Sequence, residues 1–433
     1  MAIKIWLGAA KRTKQKGTFT IGGTPAAGNT VGVTINGKNV TYTVVAGDTT
    51  TLVATGLAAA LRAADDGEFS LITWSSDAAV ITAEAAEAGV PFTATGAGTV
   101  TTTATGGGAT NTYAAVTANS SPNDVANTAN WSGGALPGAA DDVIVENTAE
   151  PMLWNLDALA AVSLTSFKVR DSFACESAGW IGNPTIHPTL GFREFRGTEL
   201  SLQGCTTLEV NQNPSAPAGS FRFNVGAVQC ALKVTGSGPS AVREECVEWR
   251  GTHAANAAEV YGGSLAVQPL IQSVSGTAVL ATAKVISGTL RLEQGVTVSG
   301  SVTLMSGLLD TRVSIPTLTM DGEESAATVR DAASISTALT VDAGSVNYLS
   351  TGALVSLLVG SGASISFEGS EAAVVVGTGT AGSVTLEEGA SYLDYNNRTV
   401  PFPDVDTLKL NRTGIDGVTL RFGPGIYLQP TPI

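Results

Sequence analysis

The sequence predicts a mainly β protein: a right-handed parallel β-helix-like solenoid, preceded by a small α+β domain of strands and one helix. Three observations lead there. Fifty of 433 residues are Gly and only 14% are charged, against an excess of Thr, Ser, Val and Ala; β-branched side chains suit pleated surfaces, and Gly supplies tight turns. A short form, alternating apolar residues followed by one or two polar ones and then Gly, recurs through the second half of the chain. Helical spacing of apolar residues, by contrast, stands out only near residue 50.

Residues 1–16 read as a basic N-terminal arm. "IKIWL" alternates apolar side chains, and Lys4, Lys11, Arg12, Lys14 and Lys16 stand there with no acid among the sixteen. Ile3, Ile5 and Trp6 are therefore candidates to add a strand to a neighbour's sheet edge, and Lys11, Arg12, Lys14 and Lys16 to meet a negatively charged partner. The alternative is that Trp6 packs on its own domain.

Residues 17–108 read as the small α+β domain. "GTFTIGG", "TVGVTING" and "KNVTYTVV" alternate β-formers with turn residues, and the "NGKN" between the last two is a hairpin turn. In "GDTTTLVATGLAAALRAADDGEF", Asp48 or a following Thr caps a helix. Leu52, Val53, Leu57 and Leu61 are its apolar positions, and Gly67 can end it. "FSLITWSSDAAVITAEA" and "VPFTATG" resume the strands. The Thr, Gly and Asn of 109–129 then suggest a linker or extended arm.

The solenoid is expected over 130–400. "TLRLEQG" (289–295), "SVTLMSG" (301–307), "TLTMDG" (317–322), "ALTVDAG" (338–344), "SISFEG" (364–369) and "SVTLEEG" (383–389) share the recurring form, with final glycines 12, 15, 22, 25 and 20 residues apart. An irregular period near twenty fits a parallel β-helix whose loops vary in length. One coil cannot bury its apolar face alone, so the open ends need covers. Trp131 is positioned to lie over the first end, with Gly133, Gly134, Pro137 and Gly138 turning the chain into "DVIVEN". Residues 401–433, rich in Pro and aromatics near their end, are expected to form the other cap or a tail.

The formal charge is −14, and with five cations in residues 1–16 the remainder carries −19. Such a body repels nucleic acid and anionic lipid, so neither is an expected partner. No window approaches the roughly 18 apolar residues of a membrane span. The apolar tip precedes the basic cluster, the reverse of an export signal, so the product is expected to be made and kept in the cytoplasm.

Cys175, Cys205, Cys230 and Cys246 lie 30, 25 and 16 residues apart without a C-x-x-C pair, so buried, reduced, structural thiols are expected, and no metal site or cofactor. Acid clusters at Glu244, Glu245 and Glu248 beside Trp249, and at Asp321, Glu323 and Glu324, would suit paired-carboxylate chemistry on a sugar. Arg243 and Arg250 flank the first cluster and favour ion pairs; the second reads as a polar turn. Asp141 and Asp142 suit either calcium or capping of the first coil, with capping favoured. His187 and His253 read as surface or turn residues. Nucleotide-loop, zinc-protease and hydrolase-elbow motifs do not occur, and no catalytic residue is expected.

"NWSGGALPGAADDVIVEN" (130–147) resembles the "W-x-x-G-x-x-P-x-x-x-D-D-V" start of β-helical surface and virion-associated proteins. "SLTSFKVRDSFACESAGWIGNPTIHPTLGFREFRG" (163–197) is similar to proteins of tailed-phage and prophage structural gene clusters, and "GTFTIGGTPAAGNTVGVTINGKNVTYTVVAGDTTTLVATGLAAALRA" to modules of phage tail and virion proteins. The resemblance implies a non-enzymatic virion structural protein on the particle exterior, of capsid decoration, cement or head-fibre type. It would bind other proteins of the capsid or tail as a homo-oligomer, and leave the host by lysis without an export signal. Two alternatives are a tail spike or fibre adhesin, trimeric, that binds or cleaves host surface glycan, and a bacterial cell-surface adhesin with its own export route.

Overall fold

The computed structural model describes residues 2–99, 108–154, 162–173, 181–182, 185–186, 193–194, 199–212, 221–236, 247–269, 277–367, 384–387, 389–394, 408–410 and 419–422. It is mainly β. Its largest features are two parallel sheets, one of 13 strands running from Ile3–Trp6 to Leu408–Leu410 and one of 11 running from Leu200–Ser201 to Thr419–Phe422.

The chain feeds the two sheets in turn. Thr282–Val285, Ser301–Leu304 and Ile315–Met320 belong to the first; Thr289–Leu292, Gly307–Thr311 and Ser325–Val329 alternate with them in sequence and belong to the second. In the first sheet Val302 pairs with Leu318 and Leu318 with Leu339. In the second, Leu290 pairs with Leu309 and Leu309 with Ala327. Side chains alternate across a strand, so this register stacks like on like: Val302, Leu304, Leu318, Met320, Leu339 and Val341 are buried, while Thr303, Thr319 and Thr340 between them look outward. The inward residues of both sheets join in one continuous core.

The irregular glycine spacing now has a cause. "TLRLEQG" and "SISFEG" lie on the second sheet and the other four segments on the first, so consecutive glycines do not mark one series. Within the second sheet the rows from Leu290 to Leu309, Ala327, Val346 and Ile365 advance by 19, 18, 19 and 19 residues.

A second, separate core lies in residues 19–109. Ile72–Asp77, Val80–Ala85, Lys16–Gly22 and Thr110–Thr117 make a four-stranded antiparallel sheet, and Lys38–Thr43, Thr30–Ile35 and Ala94–Thr99 a three-stranded one. Asn36 and Gly37 both have positive φ, 49° and 86°, which gives the expected two-residue hairpin its twist. The helix runs Thr50–Arg62, and its cap is Thr49, whose hydroxyl accepts from Leu52 N at 3.3 Å. Asp48 instead accepts from Val45 N and Tyr42 Oη. Val53, Leu57 and Leu61 are buried as the spacing predicts, whereas Leu52, in the first turn, is exposed.

Three segments differ from expectation. Ile3–Trp6 is the first strand of the 13-stranded sheet, paired in parallel with Asp142–Val145, and so is part of the folded body instead of a free arm. Thr110–Thr117, read as linker, pairs with Lys16–Gly22 because "TNTYAAVT" presents Tyr113 to Phe19 at 5.0 Å between ring centroids. Of the expected C-terminal cap, Leu408–Leu410 and Thr419–Phe422 extend the two sheets; the remainder of 401–433 lies outside the described residues.

Candidate interaction surface at the amino-terminal end

The first strand of a long sheet has an unpaired edge, a template for unwanted pairing unless it is covered. Here residues 130–150 cover it. The N–H groups of Ile5 and Leu7, which the strand turns away from its partner, go to Ser132 Oγ at 2.9 Å and Asn130 O at 2.8 Å. The fully buried Asn130 amide accepts from Ala10 N at 2.7 Å and donates to Ser121 O and Asp124 O at 2.8 Å each. Asp141 accepts from Ala2 N at 2.7 Å and Gly138 N at 3.0 Å.

Hydrogen bonds from Gly138 N and then Ala2 N, with Lys4 nearby, hold the Asp141 carboxyl below the usual range. Asp142 accepts from Ser166 Oγ. The Asp141–Asp142 pair therefore serves capping, and among the described residues no group of three or more His, Cys, Asp or Glu is placed to hold a metal ion.

Beneath this cover sits an aromatic plug. Trp6 and Trp131 are both buried, 5.1 Å apart and edge to face; Trp131 meets Trp154 at 6.5 Å, and Trp154 meets Phe167 at 6.2 Å. The Trp6 indole N–H reaches Glu150 O at 3.2 Å, which satisfies the polar end of a ring otherwise in apolar surroundings. Trp131 thus lies over the first end of the core as its position in the sequence suggested. Trp6 packs inside its own chain, so its indole offers nothing to a neighbour's sheet edge.

What this end shows to solvent is different. Ile3 is 62% and Leu7 45% exposed, with Ile5 half-buried between them. Arg12 pairs with Glu150 at 3.1 Å and Lys16 with Glu84 at 3.7 Å. Lys11 and Lys14 are exposed and form no ion pair with a described residue. They are held in place, because Ala10 is buried and Thr13 exchanges backbone hydrogen bonds with Ser120 at 2.7 and 3.0 Å. The end is an ordered apolar and cationic face on a chain of net charge −14.

No protein-family model matches this chain, and no curated protein matches it.

The acid clusters fall elsewhere. Glu244 and Glu245 lie outside the described residues, as do Arg243, Cys175, Cys246 and His187. Glu248 is bound by Arg222 Nε at 2.7 Å and Gln268 Nε2 at 2.9 Å, Arg250 pairs with Glu199 at 2.9 Å, and Trp249 is fully buried. A buried indole cannot stack on a sugar, so the pairing of Trp249 with these acids does not make a glycan surface. Asp321, Glu323 and Glu324 are exposed at a turn. His253 Nδ1 accepts from Ala255 N, a local turn contact.

A groove of about 470 Å³ runs past Gln294, Val296, Val298, Arg312, Val313 and Asp331. Its polar rim is already engaged: Gln294 donates to Asp331 at 2.9 Å, and Arg312 stands 3.6 Å from Glu293 and 3.7 Å from Asp331. Sequence reasoning missed Asn130 as the latch of the amino-terminal end. Its signal was there in retrospect, as a buried amide directly before a covering Trp.

Proposed function

We propose that this chain is a non-enzymatic structural protein on the exterior of a tailed-phage particle, of capsid decoration, cement or head-fibre type, and that its two long sheets are sides of a right-handed parallel solenoid. The strict alternation of the chain between the sheets supports the solenoid, as do their shared core and the near-constant advance of about twenty residues per row. At about 4.8 Å per row, the 13-stranded sheet extends about 60 Å, a stiff strut.

The observation that carries the functional reading is the amino-terminal end. It is closed against its own sheet-edge pairing, yet it holds Lys11 and Lys14 in place beside exposed Ile3 and Leu7. An apolar patch ringed by unneutralised cations suits docking on an acidic protein surface. The partners are other virion proteins, and the resemblance of residues 130–147 and 163–197 to virion-associated sequences points to the same setting.

The test is to purify particles from a lysate of cells carrying the gene and to probe them for the chain. Recovery at fixed stoichiometry with intact particles is expected. Recovery wholly in the soluble fraction, or release of sugars when the pure chain is given host surface glycan, contradicts the reading.

A further inference from the structure

One column of the 13-stranded sheet holds two faces of opposite character. In the first row Leu7 follows Trp6. In later rows the residue one beyond each strand's last core position continues the ladder by backbone hydrogen bonds. Met305 N bonds to Val285 O, Asp321 N to Leu304 O, Asp342 N to Met320 O, Gly360 N to Val341 O and Glu387 N to Val359 O, at 2.7 to 2.9 Å. Asp321, Asp342 and Glu387 therefore stand along one edge, Asp321 and Asp342 in adjacent rows about 4.8 Å apart.

Glu323 and Glu324 project from the turn beside Asp321. None of these five acids has an ion-pair partner among the described residues, although acids in neighbouring rows do: Asp310 is met by Arg330 and Glu293 by Arg312. Met305, 44% exposed, lies one row before Asp321. An apolar side chain next to unneutralised acids is the counterpart of Ile3 and Leu7 next to Lys11 and Lys14.

We propose that the amino-terminal end of one copy docks on the Met305–Asp321–Asp342–Glu387 edge of a second copy. Lys11 and Lys14 meet the carboxylates, while Ile3 and Leu7 cover Met305. This deepens the assembly reading of that end by naming its partner, and it rests on that reading. The contact is head to tail: the two surfaces differ and lie far apart along one sheet, so each copy keeps one of each free. Such a contact builds a ring or an open row. Burying cations against carboxylates that repel one another at this edge relieves that repulsion, which gives the association its salt dependence.

Sedimentation velocity on the purified full chain, with no other component present, tests this. Wild type is expected to form species larger than a monomer at about 20 mM salt and to dissociate toward monomer at about 0.5 M. Lys11→Glu/Lys14→Glu and, separately, Asp321→Lys/Asp342→Lys are expected to weaken association about tenfold or more. Mixed together, the two variants restore a 1:1 pair that grows no further, since each supplies the surface the other lacks. Where a reversal fails to fold by circular dichroism, Lys11→Ala/Lys14→Ala or Asp321→Asn/Asp342→Asn replaces it. A wild type that stays monomeric at every salt, variants that associate like wild type, or a mixture that does not pair overturns the proposal. None of these results alters recovery with particles, so the two readings fail separately.

Discussion

The indole of Trp6 meets that of Trp131 edge to face, 5.1 Å between centroids, across 125 residues of sequence. That contact joins the start of the chain to the start of the long sheets. It makes the first six residues part of the core, with the small antiparallel unit built from the chain between the two tryptophans.

Replacing Trp6 by Ala leaves a cavity beside Trp131 and frees the first strand, so a loss of about 3–5 kcal/mol is expected in urea unfolding of the long sheets. Ile3→Ser, at an exposed position in the same strand, is expected to cost less than about 0.5 kcal/mol. Equal losses would show that the strand does not belong to the core.

Two carboxylates should move stability in opposite directions with pH. Asp141 is held below the usual 3.8 by N–H donors. Its contribution is therefore full above the ordinary carboxylate range and is lost as pH falls through the lower folded value. Asp141→Asn should be destabilised at pH 7, with the difference closing only in strong acid. Asp342 is raised by burial first and then by Asp321 and Glu387. Its relative contribution is present in acid and is lost as pH rises through the folded value, so Asp342→Asn should be more stable than wild type at pH 7 and equal to it in acid. Thermal melts of both variants across pH check the signs.

Gly322 sits where a Cβ would fall 1.6 Å from Met305 O of the preceding row. The row spacing is fixed by the backbone ladder, so neither side can give way cheaply. Gly322→Ala should cost about 1–3 kcal/mol, whereas the same change at Gly37, where nothing lies within 4 Å, costs only what its positive φ demands. Urea midpoints of the two variants separate steric from conformational cost.

Burial pushes the Cys205 thiol up to about 12 and that of Cys230 higher still. In a Cys175→Ser/Cys246→Ser background, neither should react with a thiol reagent at pH 8 until the chain unfolds. Prompt labelling in the native state would contradict the described packing.

Much of the fold was legible because a two-residue period and turn glycines are written locally. "SVTL", "TLTM" and "ALTV" each show which side chains face the core. Which sheet each segment joins was not legible, since first-sheet and second-sheet strands obey the same alternation and differ only in what precedes them. The amino-terminal end was half legible: "IKIW" read as a strand and Trp131 as a cover, but their meeting depends on Asn130, Ser132 and Asp141, whose roles arise from hydrogen bonds spanning more than a hundred residues. The acid cluster at Glu248 misled on one point, because Trp249 alternates inward with Val247 while Glu248 faces out.

The most direct test of the account compares wild type with Lys11→Glu/Lys14→Glu for incorporation into particles lacking this component. Deleting residues 1–16 is the wrong comparison, since it would remove Trp6 from the core. The account predicts that both chains melt at the same temperature but that only wild type is recovered with particles. Equal recovery of the two, or recovery of neither, would contradict the assignment of the amino-terminal end as the assembly surface of a virion protein.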